Sequence, residues 1–170
     1  MEFLTRYPRR LPALAIAIPL LALGAAFASE AFGLKPCVLC IYQRWAYVGV
    51  LAAGVLGLLV ATAHPAFLRL SVALAGLAFL VGAGIAAFHS GVERKWWEGT
   101  AACHAPKIDA STSIDEMKTI LLNQDFVPCD KIPWSLFGAS MANYNMVFSL
   151  AMAAVFLLAA WHLGQDRRAG

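Results

Sequence analysis

Charge is what this sequence has least of. Only 14% of its 170 residues are Asp, Glu, Lys or Arg, and 61% are apolar. A soluble domain carries about 25% charged residues. The deficit excludes an ordinary water-soluble domain and points to surface that faces lipid. The formal net charge is only +3, without the basic stripe that nucleic-acid binding needs. Internal repeats and low-complexity tracts are also missing, so the chain is neither a solenoid nor a linker. Cysteine is scarce. Cys37, Cys40, Cys103 and Cys129 are the four present, an even count that allows two disulfides in three pairings.

What is there instead is four long apolar runs. The first, Leu11–Phe27, follows Arg6, Arg9 and Arg10 and continues through Ala31 with a single charge, Glu30. A basic start, an apolar run and Ala26-Phe27-Ala28 resemble a secretory signal, but the run is longer than the 7–15 residues of a signal core. An uncleaved span over 11–31 is therefore expected. Gly33 and Pro36 break the chain, and further spans are expected at 45–63, 70–88 and 146–163. Each supplies about 20 residues, enough to cross roughly 30 Å of hydrocarbon at 1.5 Å per residue. Backbone groups in lipid must be satisfied internally, so these segments are expected to be helices.

Arg6, Arg9, Arg10, Arg69, Arg167 and Arg168 flank one side of these spans. The other side has Lys35 and Arg44 in its short loop. The positive-inside rule then puts both termini in the cytoplasm and the loops 32–44 and 89–145 outside. All four cysteines fall on that outer side, which in a bacterial inner membrane is the oxidising periplasm. Within the long loop, Ser113-Ile114-Asp115-Glu116 fits a capping box. It opens a short amphipathic helix over 114–122, either lying on the membrane or packed on its own loop.

The chemistry-bearing stretch is Cys37-Val38-Leu39-Cys40-Ile41-Tyr42-Gln43-Arg44. If the second helix begins near Cys37, helical spacing puts Cys37, Cys40 and Arg44 on one face. A helix N-terminus and a nearby cation both favour a thiolate, so the spacing points to Cys40 as the stabilised sulfur. Arg44 by position alone is an interfacial arginine reaching for headgroups. His89, at the same outer boundary, is by position an interfacial polar residue or a functional one. A structural zinc site on all four cysteines and a purely structural disulfide are the bland alternatives. Two cysteine pairs on one side of a membrane suggest a relay by thiol–disulfide exchange. Its final acceptor would be redox-active and lipid-accessible, and a quinone fits.

The sequence resembles the bacterial disulfide bond formation protein B (DsbB) family. The resemblance rests on Cys37 through Arg44, on His89–Glu93 with Trp96-Trp97-Glu98-Gly99 to Cys103, and on Val127-Pro128-Cys129-Asp130 with Trp134, Gly138, Ser140 and Asn143. It implies an all-α membrane protein, a bundle of four transmembrane helices whose long periplasmic loop carries the amphipathic helix. It also implies a quinone-dependent protein-disulfide oxidoreductase. Cys103 and Cys129 would form the disulfide attacked, at Cys103, by a periplasmic thioredoxin-fold oxidase of the DsbA type. Cys129 would then attack Cys37, releasing Cys40 beside ubiquinone or, anaerobically, menaquinone. Arg44 would stabilise the Cys40 thiolate and help hold the quinone, with His89 near its head. A membrane scaffold without turnover, or a paralogue that oxidises one dedicated client, are the alternative readings.

Overall fold

The computed structural model describes residues 9–60, 65–103, 113, 115, 118 and 127–169. Four long helices dominate: α1 (Arg10–Ala31), α2 (Val38–Val60), α3 (Pro65–Glu93) and α4 (Met141–Ala169). Each is long and apolar enough to cross a membrane. The amphipathic helix expected over 114–122 lies largely outside the described residues.

Along the bundle, α3 packs most extensively on α4 and on α2, while α1 packs chiefly on α2. The core between them is built from Leu11, Ala15, Val50, Ala53, Leu68, Val72, Ala75, Phe79, Ala153, Phe156 and Ala159. Phe79 centres it, edge-on to Tyr47 and tilted against Phe156. Alanine and glycine recur at the contacts because lipid leaves close packing, rather than water exclusion, to hold helices together. A Cβ on Gly54 would lie 2.9 Å from the Ala15 backbone carbon, so that approach of α2 to α1 requires glycine. Outward, Leu20, Leu21, Leu59 and Val147 are exposed. That surface would drive aggregation in water and is at ease in hydrocarbon.

Three helices extend beyond the expected apolar spans. Thus α2 starts seven residues before Trp45, α3 runs five past Phe88, and α4 starts five before Met146. The added turns carry Gln43, His89, Glu93 and Asn145. Gln43 hydrogen-bonds to His89 and Asn145 across helix interfaces and Glu93 accepts from Ser140, so the helices continue where hydropathy alone ends them.

Helix ends near the first loop follow local rules. At the end of α1, Gly33 N–H donates to the Glu30 carbonyl and Leu34 N–H to the Ser29 carbonyl, with Gly33 at φ 90°. This is the Schellman arrangement, and its left-handed position favours glycine. The end of α3 repeats it, with Lys95 at φ 59° in the left-handed position. Before α4, a short hairpin pairs β1 (Ser135–Leu136) with β2 (Ala139–Ser140). Phe137 and Gly138 both have positive φ at its turn, as a two-residue type I′ turn requires. The Ser140 hydroxyl accepts the Asn143 N–H and so caps α4. It also donates to Glu93, tying the start of α4 to the end of α3.

Candidate redox site

The Cys37–Cys40 stretch forms the first turn of α2. Cys37 is the capping residue: its carbonyl accepts the Ile41 N–H, and its sulfur accepts the Cys40 N–H at 3.4 Å. Its sulfur also lies 3.0 Å from the Cys40 sulfur and 3.5 Å from His89 Nε2. The two cysteines are not bonded to each other, and Cys37 is buried while Cys40 is half-buried. Their i, i+3 helical spacing brings them within a small movement of bond formation.

Cys103 and Cys129 form a disulfide. It packs with Cys37, Leu39 and Val92 in one buried cluster, with Cys40 and Val127 against it. The loop disulfide therefore stands directly on the helix pair. With that bond formed, Cys103 and Cys129 are not available as thiolate ligands, so a zinc site on all four cysteines would need it broken. Cys37, Cys40 and His89 still offer three donor atoms within 4.8 Å of one another, a set that a soft metal ion could use only with both thiols reduced.

The spacing argument gave the helix-terminus benefit to Cys40. The geometry differs, because Cys37 rather than Cys40 occupies the capping position. The hydrogen bond from the Cys40 thiol, opposed by burial and helped by the hydrogen bond from His89, holds the Cys37 sulfur well below the usual thiol range. The reduced pair is thus expected to carry one thiolate, on Cys37, at neutral pH. A depressed native value makes the folded state bind fewer protons than the unfolded chain. The resulting stabilisation of the reduced protein is complete above the ordinary thiol value and is lost as pH falls toward about 4. Ultraviolet thiolate absorbance across an acid titration checks this. A single thiolate that disappears near pH 9 would contradict it.

Arg44 does not stand free beside Cys40. Its guanidinium is paired with Glu30 of α1 and lies 5.3 Å from the Phe27 ring centroid. Both Arg44 and Cys40 line a cavity of about 240 Å³ to which all four helices contribute. One wall is apolar, from Ala22, Leu23, Ala25 and Ala26. The other carries Cys40, Gln43, Arg44, His89 and Asn145.

His89 is buried and joins the pair, as the sequence reading allowed. Glu30, Gln43, Glu93 and Asn145 were not singled out. Their signal was available: Gln43 stands three residues from Cys40, Glu93 four from His89, and polar residues at membrane depth mark sites by default.

A helical membrane protein that stacks a loop disulfide on a second, closely spaced cysteine pair, with a cavity beside it, belongs to the membrane thiol–disulfide oxidoreductases. More narrowly, the chain belongs to the family described as Disulfide bond formation protein DsbB, which matches residues 8–159. It is 30% identical over 145 residues to the Disulfide bond formation protein B of Psychrobacter sp. (strain PRwf-1), covering 81% of each chain. It is 31% identical over 140 residues to that of Saccharophagus degradans, covering 79% of this chain and 81% of the relative. With that of Pasteurella multocida it shares 30% over 144 residues, 78% of this chain and 76% of the relative. Its role is in disulfide bond formation.

Proposed function

We propose that the chain reoxidises a periplasmic thioredoxin-fold dithiol oxidase of the DsbA type and delivers the electrons to a quinone. The observation that carries this reading is the contact between the two cysteine pairs, with Cys40 on the cavity wall. The partner's thiolate attacks Cys103, the Cys103–Cys129 bond breaks, and Cys129 leaves as a thiolate. With Cys37 and Cys40 oxidised, Cys129 attacks Cys37 and Cys40 leaves with the electron pair. While Cys37 is bonded to Cys129 it cannot hold the negative charge. Cys40, in the first turn of α2 with Arg44 one turn on, is then the sulfur that does.

The cavity fits a quinone: donors at one wall suit a carbonyl-bearing ring, and the apolar α1 wall suits its ring face and isoprenoid stem. Cys40, Arg44 and His89 would meet the head. Bound ubiquinone, or menaquinone, would supply a two-electron acceptor reachable from lipid. Both termini are assigned to the cytoplasm and the cysteines to the periplasm of the inner membrane, on the arginine distribution.

Purified full-length protein mixed with a reduced thioredoxin-fold oxidase and ubiquinone should reduce the quinone, seen as loss of its ultraviolet absorbance. Absence of quinone reduction, with the partner's thiols still reduced, would overturn the reading. Arg44→Ala should raise the apparent quinone KM about tenfold, the scale of one charge-assisted hydrogen bond. An unchanged KM would leave Arg44 only its structural pairing with Glu30.

A further inference from the structure

A chain of hydrogen bonds runs from the α2–α4 interface to the imidazole beside Cys37. Leu39 C=O, which can only accept, receives Gln43 Nε2 at 3.3 Å. The Gln43 amide is thereby oriented, and its second N–H points at His89 Nδ1, 3.0 Å away. On its other side, Gln43 Oε1 accepts from Asn145 Nδ2. Asn145 Oδ1 in turn accepts from the Tyr47 hydroxyl at 2.6 Å and the Ser149 hydroxyl at 3.1 Å. The direction of the chain is set at Leu39, whose carbonyl cannot donate, since the Tyr47 and Ser149 hydroxyls at the far end would suit either amide orientation.

The consequence falls on His89. Its Nδ1 faces a donor and so bears no proton, which puts the ring proton on Nε2. Nε2 lies 3.5 Å from the Cys37 sulfur and 3.9 Å from Glu93 Oε1. The first distance is a hydrogen bond to sulfur, and the second is too long for one to oxygen. A proton on Nδ1 would point at the Gln43 N–H, so the hydrogen-bond pattern selects Nε2 as the protonated nitrogen.

We infer that Gln43, anchored by Asn145, is a positioning residue that fixes His89 as an Nε2–H donor to the Cys37 sulfur and prevents it from acting as a base there. This deepens the relay reading, in which Cys37 is the sulfur that receives the exchange. It assigns a task to two polar residues that the relay itself does not use. The arrangement offers Cys37 a constant donor whenever its sulfur gains negative charge, without delivering a proton to it.

The test reads the tautomer directly, without substrate or quinone. Full-length protein with ¹⁵N-labelled histidine, reduced and in detergent micelles, is examined by long-range ¹H–¹⁵N correlation. His89 is assigned by the signal lost in His89→Gln. The expected result is an unprotonated Nδ1 and a protonated Nε2. In Gln43→Glu the side chain offers acceptors instead of a donor, and the Nδ1 resonance should move to the protonated range. A proton on Nδ1 in the unmutated protein overturns the inference, and so does an unmoved Nδ1 resonance in folded Gln43→Glu. The unmutated spectrum decides even if the variant does not fold. A quinone-reduction assay on the same sample reports separately on the relay, so failure of one is distinguishable from failure of the other.

Discussion

Cys40→Ser should abolish quinone reduction, lowering turnover by at least roughly a thousandfold, the scale seen when a reacting nucleophile is removed. The reason is electronic. In the proposed relay the bond between Cys37 and Cys40 is the electrophile for Cys129, and a serine hydroxyl cannot form it. Nor can that hydroxyl leave with the electron pair near neutral pH. The fold should survive, because Cys40 contributes its N–H to the cap through the backbone, which serine retains. The loop disulfide is separate from Cys40, so one equivalent of reduced partner should still exchange with Cys103–Cys129 in a single turnover. Stopped-flow mixing with a reduced partner, with and without ubiquinone, separates the two phases. Sustained quinone reduction by Cys40→Ser would remove Cys40 from the relay.

Gly54→Leu should damage the fold rather than the chemistry. The first added carbon meets the Ala15 backbone at 2.9 Å, and main chain cannot swing aside as a flexible side chain can. The α1–α2 pair must separate, at a cost of about 1–3 kcal/mol for overpacking, and α1 also forms the apolar wall of the cavity. The matched control is Gly84→Leu. Gly84 is exposed on α3 with nothing within 4 Å of an added Cβ, so its leucine should face lipid and leave stability unchanged. Thermal unfolding in one detergent compares the two. Equal melting temperatures would refute the close α1–α2 approach.

The paired cysteines were legible because their meaning is local. Three-residue spacing in a helix brings two sulfurs together whatever surrounds them. Arg44 shows the limit of such reasoning. Its spacing from Cys40 is right, yet its charge is engaged by Glu30, fourteen residues earlier on another helix. The thiolate preference moved from Cys40 to Cys37 for a similar reason. A helix start near Cys37 leaves both sulfurs in the first turn, and the contacts with the Cys40 N–H and with His89, 52 residues away, are what favour Cys37.

By itself the sequence determined the four helices and the closeness of Cys37 to Cys40. Apolar runs of spanning length and i, i+3 cysteines dictate structure through backbone hydrogen bonding and helical pitch, which act over a few residues. Only the tertiary structure decided that Cys103–Cys129 rests on Cys37, and that Gln43 and Asn145 hold His89. Those contacts join residues 46 to 102 positions apart. A buried polar group takes whatever partner helix packing brings within 3 Å, and no local pattern encodes which one that will be.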